Sequence, residues 1–180
     1  MPNKSLVFKG DSCHGGKLSK ERITILPCAN MTGTEKLPLL VIGKAAKPRC
    51  FKGVKSLPTP YRANKRAWMT GAMFTEWITE HDKKFAKQKR KVAMVLDNCP
   101  AHPHVIPGLK AIKMVFLPPN TTSVTQPMDQ GIIANLKHHY RSALLQQRLL
   151  AIDSAQPHTT AVSVLDAMRY IQKAWTMVKK

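Results

Sequence analysis

Acidic residues are scarce in this 180-residue chain: ten Asp and Glu stand against 29 Lys and Arg, for a net charge of +19 with neutral His. With so few acids the surface cannot neutralise its own cations. The imbalance points to a polyanionic partner, held through phosphate contacts and counterion release. A basic protein that is merely soluble, or one that binds ribosomal or other anionic surfaces, would show the same balance. The cations are spread along the whole chain, which suits a folded surface better than a disordered arm. Cysteine is also sparse. Cys13, Cys28, Cys50 and Cys99 form no CxxC pair, which argues against a zinc ribbon and against a disulfide framework. Cys13-His14 is half a metal pair with no matching half, so free thiols of a reducing compartment are expected. No apolar run approaches the ~18 residues of a transmembrane helix, and no signal peptide opens the chain. A soluble intracellular chain with no membrane partner is the expectation. Internal repeats and low-complexity tracts are missing too. At this length one domain can bury a proper core.

The stretch that organises the chain is Lys91-Val-Ala-Met-Val-Leu-Asp-Asn-Cys-Pro-Ala-His102. Val92 to Leu96 is too short for a buried helix and rich in strand formers, so it reads as an inner strand covered on both faces. Asp97 then falls at the strand's carboxyl end, where open α/β sheets place their working residues. A turn or cap role fits Asp97 equally well. A second acid, Asp129, stands at the start of a helical pattern after Leu117-Pro-Pro-Asn-Thr-Thr-Ser-Val-Thr-Gln-Pro-Met128. Two such acids could meet across a cleft and hold a hard divalent cation, which binds one or two carboxylates plus water and phosphate. Helix capping through the dipole is the plainer role for Asp129.

Around this centre the pattern predicts further elements. Leu6 to Phe8 is a candidate short strand and Gly15-Gly16 a turn. Arg22 to Ala29 and Leu37 to Ile42 predict an antiparallel hairpin about the turn Asn30-Met-Thr-Gly33. Residues 43–66 are basic, Pro-rich and poorly periodic. There Lys44, Lys47, Arg49, Lys52, Lys55, Arg62, Lys65 and Arg66 interleave with Phe51 and Tyr61, with Trp68 just beyond. Cations among aromatics suit nucleic-acid contact; each residue singly also suits a solvated loop. Thr70 can cap a helix to Lys87 with Met73, Phe74, Trp77, Ile78 and Phe85 inward. Ile112 to Leu117 is a strand whose connection from Leu96 allows a parallel crossover. A helix from Met128 presents Ile132, Ile133, Leu136, Tyr140, Leu144, Leu145 and Leu149. Gln156-Pro157 breaks the pattern, and a last helix over 162–178 turns Leu165, Met168, Ile171, Ala174 and Trp175 inward.

Several of these segments together are recognisable. Lys20-Glu-Arg-Ile-Thr24, Leu39-Leu-Val-Ile-Gly-Lys44, Lys47-Pro-Arg-Cys50, Tyr61-Arg-Ala-Asn-Lys-Arg-Ala-Trp-Met69, Leu96-Asp-Asn-Cys-Pro-Ala-His102, Phe116-Leu-Pro-Pro-Asn-Thr-Thr-Ser123 and Gln126-Pro-Met-Asp-Gln-Gly131 occur in order. They resemble the DDE endonuclease domain of pogo/Tigger-type transposases and of the jerky-like and centromere protein B-like proteins derived from them. The resemblance covers nearly the whole chain. It implies an α/β fold, a ribonuclease-H-like mixed sheet flanked by helices, with three carboxylates for Mg²⁺ or Mn²⁺ and metal-dependent phosphodiester cleavage as the ancestral reaction. On that pattern Asp97 matches the second acid and Asp129 the third. The first acid, carried by the family in an Asp-Glu-Thr-Gly-like motif on its first strand, has no match. Met1-Pro-Asn-Lys matches sequence that follows that strand, and the family's upstream helix-turn-helix region is also without a match. The domain is therefore expected to lack its first strand: an N-terminally truncated core over 1–150 and a C-terminal helical extension over 151–180. Asp11 and Glu21 are the only acids near enough to substitute, and neither has the right context. The resemblance further implies a nuclear protein with DNA as partner; the interleaved cations Lys44, Lys47, Arg49, Lys52, Arg62, Lys65 and Arg66 are the expected contacts, and homodimerisation is an option. It leaves two readings: a nuclease domain in an incomplete copy, inactive as it stands, or a domesticated non-catalytic DNA-binding or protein-interaction module.

Overall fold

The computed structural model describes residues 22–118, 126–153 and 162–179. The strand at Leu6 to Phe8, the Gly15-Gly16 turn, the Cys13-His14 pair, Asp11, Glu21, most of the Pro118 to Thr122 loop and the Gln156-Pro157 break lie outside them. Within the described residues the protein is mixed α/β: two small sheets, the first with helices on both sides.

The first sheet begins with β1 (Thr24–Leu26), which pairs antiparallel with β2 (Leu40–Gly43), Ile25 opposite Val41. An isolated antiparallel bridge between Ala29 and Lys36 carries the hairpin toward its turn. β3 (Tyr61–Ala63) then lies parallel to β2 on the other side, Ile42 opposite Arg62. This strand falls inside the segment that the sequence pattern leaves as loop. The Pro-rich connection holds a 3₁₀ turn at Arg49–Phe51. It is anchored where the Thr59 hydroxyl donates to the Leu39 carbonyl.

Helix α1 (Gly71–Lys87) begins where expected, with the Thr70 hydroxyl accepting from the Met73 N–H. The second sheet holds β4 (Val92–Leu96) and β5 (Ile112–Phe116), parallel and in register from Val92–Ile112 to Leu96–Phe116. The expected crossover is thus present. The expected burial of β4 on both faces is not. Met94 and Leu96 are buried, but Val95 and its neighbour Val115 are exposed on the opposite face. Among the described residues β4 has one strand partner and packs on one side only, so the strand alternates in burial.

The chain then enters a π-type turn, Met128–Ile132, broken from the following helix by Gly131 at φ 122°. That conformation is open to glycine and strained for other residues. Helix α2 (Ile133–Asp153) follows, and α3 (Val164–Met177) closes the described chain. Ser163 caps α3 by accepting from the Asp166 N–H. Leu165, Met168, Ile171, Ala174 and Trp175 are buried as the spacing predicts. In α2 only the first half behaves so: Leu136 is buried, whereas Leu145 and Leu149 are exposed. Helical period identifies a face, and packing decides how far along that face is covered.

Two clusters show the layering. On one side Leu40 and Ile42 of β2, Met94 and Leu96 of β4 and Ile112 of β5 pack with Phe74, Trp77, Ile78 and Phe85 of α1. On the other, Leu39 meets Leu136, Ile171, Ala174 and Trp175, with Ile23 and Ile25 beside them. Leu39, just before β2, and Leu40 at its start therefore feed opposite cores, and Ile25 of β1 joins the second, which makes the first sheet the middle of three layers. Lys36 fastens α3 to the hairpin. Its ammonium donates to the carbonyls of Trp175 (2.7 Å) and Val178 (2.9 Å), and it lies 5.2 Å from the Trp175 ring centroid. The Trp175 indole N–H donates back to the Leu37 carbonyl. A cation on the negative end of a helix supplies up to about 2 kcal/mol when partly buried. Replacing Lys36 with Met, which keeps the apolar stem, is expected to cost about 1–2 kcal/mol in urea unfolding. A loss below 0.3 kcal/mol would show that water replaces the ammonium at no cost.

Candidate functional site

Asp97 follows the last residue of β4, as its sequence position predicts. The ladder runs past it: the Leu117 N–H donates to the Leu96 carbonyl at 2.8 Å, and the Asn98 side-chain amide donates to the Leu117 carbonyl. These bonds hold the ends of β4 and β5 together and fix where the Asp97 side chain departs. Beyond it the chain turns, with the His102 N–H donating to the Cys99 carbonyl. The turn brings the His102 ring back onto the buried Phe74 ring, centroids 4.2 Å apart. His102 Nδ1 then lies 2.6 Å from Asp97 Oδ1. Sequence reasoning left His102 as a loop residue; the acid followed five positions later by an imidazole was the available signal.

Asp97 Oδ1 is shut off from solvent and accepts no hydrogen bond among the described residues, with His102 Nδ1 2.6 Å away. A buried acceptor with capacity to spare suits a hard cation, which takes oxygen ligands. Asp129 is exposed on the π-type turn, with its N–H donating to the Gln126 carbonyl at 3.0 Å. The Gln126 side-chain oxygen is a second buried acceptor, without a partner among the described residues. Among the described residues no hydrogen bond or ion pair joins Asp129 to Asp97, and no group of three or more His, Cys, Asp or Glu is placed to hold a metal. The residues present therefore fit a divalent ion in part: one buried carboxylate oxygen, and a second acid at the start of the next helical segment.

The basic residues fall into two sets. Arg62, on β3, turns onto α1 and is neutralised there, donating to Glu76 at 2.9 Å and Glu80 at 3.1 Å. Those carboxylates, Glu76 first, raise its already high pKa further. Lys44, Lys47, Arg49, Lys52, Lys65 and Arg66 are exposed. Lys44, Lys65 and Arg66 share an open pocket of about 460 Å³ with Arg22 and Trp68. No acidic side chain among the described residues lines it. Among the described residues none of these four cations is in an ion pair. Arg22 is the one lining residue that the sequence pattern does not single out; it adds to Lys44, Lys65, Arg66 and Trp68. Cys28, Cys50 and Cys99 are half-buried free thiols. Burial, and then the nearby Glu35 carboxylate, push Cys28 up to about 11, so it is poorly suited to thiolate chemistry.

The described residues thus form a layered α/β domain with an acid at a strand end and a basic pocket whose cations are in no ion pair among them. Comparison with known proteins narrows this. The family model described as DDE superfamily endonuclease matches residues 20–180, and the chain belongs to that family. It is 46% identical over 178 residues to Tigger transposable element-derived protein 4 of Mus musculus, covering 99% of this chain and 34% of that protein. It is 31% identical over 159 residues to major centromere autoantigen B of Homo sapiens, covering 88% and 26%. It is 36% identical over 134 residues to the jerky protein homolog of Homo sapiens, covering 69% and 24%. The chain thus spans about a third or less of the length of these relatives. No solved structure matches it significantly.

Proposed function

We propose that this chain is a nuclear DNA-binding domain of DDE endonuclease descent that binds DNA without cleaving it. The observation that carries the reading is the pocket in which Arg22, Lys44, Lys65 and Arg66 are in no ion pair among the described residues, while Arg62 and Arg90 are paired internally. Cations left free on a folded surface supply the counterion-release term of nucleic-acid affinity. The relatives' names agree with a DNA partner: a transposable element-derived protein, a centromere autoantigen and an ARS-binding protein of Schizosaccharomyces pombe. A ribonuclease-H-like arrangement is part of the proposal. It is supported by the antiparallel β1–β2 pair, the parallel β4–β5 crossover, and one strand edge left unpartnered on each of β1 and β4 among the described residues.

Family endonucleases act with divalent metal. Here Asp97 and Asp129 would hold Mg²⁺ or Mn²⁺, and the bound ion would polarise phosphoryl oxygens. Two carboxylates, with no third ligand placed beside them among the described residues, hold it weakly. The test is nicking of supercoiled plasmid in Mg²⁺ or Mn²⁺, with plasmid binding followed in parallel at low salt. The expected result is binding with no nicking above the metal-only control. Nicking that disappears in both Asp97→Ala and Asp129→Ala would overturn the non-cleaving half of the proposal. Failure to bind plasmid at low salt would overturn the other half.

A further inference from the structure

We propose that the pocket bounded by Arg22, Lys44, Lys65, Arg66 and Trp68 takes one nucleotide of an unpaired strand, its base stacked on the Trp68 indole and its phosphate among the four cations. The inference rests on the nucleic-acid reading above and specifies the form of the ligand.

Trp68 is the starting point. The chain has three tryptophans. Trp77 and Trp175 are each 5% exposed, whereas Trp68 is 53% exposed. Its loop is nonetheless fixed. The Asn64 side-chain oxygen accepts from the N–H groups of Arg66 (3.1 Å) and Trp68 (3.2 Å), and the Asn64 amide donates to the Trp68 carbonyl at 2.6 Å. Ala67, fully buried, is held at φ 53°, a left-handed conformation costly for a residue with a Cβ. Its N–H donates to the Asn64 carbonyl, and its own carbonyl accepts from the Thr24 hydroxyl at 2.7 Å. The Asn64 N–H donates to the Gly43 carbonyl, which ties this loop to the end of β2 next to Lys44. A large apolar ring is thus presented to solvent on a rigid, strained loop. Rigidity before binding lowers the ordering cost of a ligand.

The surroundings specify that ligand. The Arg22 guanidinium carbon lies over one face of the Trp68 ring, 5.8 Å from its centroid, so a base would stack on the opposite face; Lys44, Lys65 and Arg66 complete the lining. An aromatic platform beside converging cations is the pattern that binds single strands, where each base offers a π-face and each link a phosphate. In a duplex the faces are already stacked on neighbours, so an indole reaches one only after the base leaves the stack. The pocket volume lies in the lower part of the range for small-ligand sites, consistent with a single nucleotide. Acidic peptides would satisfy the cations but leave the indole without a stacking partner.

The experiment compares fluorescein-labelled oligo-dT with a mixed-sequence duplex of the same length, by anisotropy at low salt, for the wild-type chain, Trp68→Ala and Trp68→Phe. Thermal melts would establish that both variants are folded. Trp68→Ala is expected to weaken oligo-dT binding about 5- to 100-fold and leave duplex binding within about twofold, with Trp68→Phe close to wild type. Unlabelled oligo-dT is also expected to quench intrinsic tryptophan fluorescence saturably, since Trp68 is the exposed indole. Equal loss on both DNA forms, or no loss on either, would overturn the nucleotide pocket while leaving the DNA-binding reading standing. Absence of wild-type binding to either form would overturn both. Competition by poly-glutamate as effective as by oligo-dT would also overturn it, in favour of an acidic-protein site.

Discussion

Asp82→Ala is expected to lower unfolding stability by about 3–5 kcal/mol, a large fraction of the 5–15 kcal/mol typical of a domain. Asp82 sits on the inner side of α1 and is only 4% exposed. Its Oδ1 accepts from the N–H groups of Ala111 and Ile112, both at 2.7 Å, and the carboxylate also takes the Lys110 N–H at 2.9 and 3.0 Å. One side chain therefore closes the start of β5 and locks that strand to α1. Alanine would strand three backbone donors, two of them on buried residues, at about 1–3 kcal/mol each before relaxation. Asp82→Asn keeps one acceptor but turns an amide toward the Lys110 N–H, so an intermediate loss is expected. Burial by itself would raise the Asp82 pKa. The donors of Lys110, Ile112 and Ala111, with the Lys91 charge, outweigh it and hold the carboxyl below its ordinary value of 3.8. The unfolded chain thus binds this proton more readily than the folded one, and stability rises with pH across that interval. The contribution is complete above the unfolded-state value and is lost as pH falls through the lower, folded one. A melt series from pH 7 to pH 3 should show wild type losing stability more steeply than Asp82→Asn. An Asp82→Ala midpoint within 2 °C of wild type would refute the locking role, since about 3 kcal/mol corresponds to roughly 6–12 °C at this size.

Asp82 also shows what a sequence conceals. It lies on α1 among Phe74, Trp77, Ile78 and Phe85, whose spacing revealed the helix and its inner face. An acid on that face has no local signal, because its partners are backbone groups nearly thirty residues away. Elements set by local chemistry were legible: the Thr70 cap, the Asn30 to Gly33 turn, the β4–β5 crossover and the inner face of α3. Strand β3 was not, since three residues after Pro60 carry no period and the strand exists only by pairing with β2. The exposed faces at Val95 and Leu145 were misread for a related reason. Alternation and helical period locate a face, but they do not say what covers it. At the candidate site, Asp97 was legible from its place after β4. His102 was found only once the turn had folded onto Phe74. Arg62 looked as free as its neighbours until Glu76 and Glu80 were placed beside it by tertiary packing.

Raising monovalent salt from 50 to 200 mM is expected to weaken duplex DNA binding about 1,000-fold, a log–log slope near −5. On a duplex, whose stacked bases do not enter the Trp68 pocket, the value follows from the exposed set Lys44, Lys47, Arg49, Lys52, Lys65 and Arg66 spread along the backbone. Each neutralises about one phosphate and releases about 0.9 counterion. Substitutions divide this claim cleanly. The triple change Lys44→Gln, Lys65→Gln, Arg66→Gln removes three cations that line the Trp68 pocket, and should flatten the slope by roughly 2.7. Arg62→Gln removes an equal charge per residue, but that charge is already spent on Glu76 and Glu80. It should leave the slope unchanged. Its effect on stability should be small, because the carboxylates it pairs with are largely exposed and such bridges contribute about 0–1 kcal/mol. Both variants lower net charge, so a response that followed net charge alone would flatten the slope in each in proportion. A slope flattened only by the triple change assigns phosphate contact to the pocket side of β2 and β3. A slope flattened by Arg62→Gln and not by the triple change would instead require the Arg62 ion pairs to open on DNA, and would move the binding surface to α1.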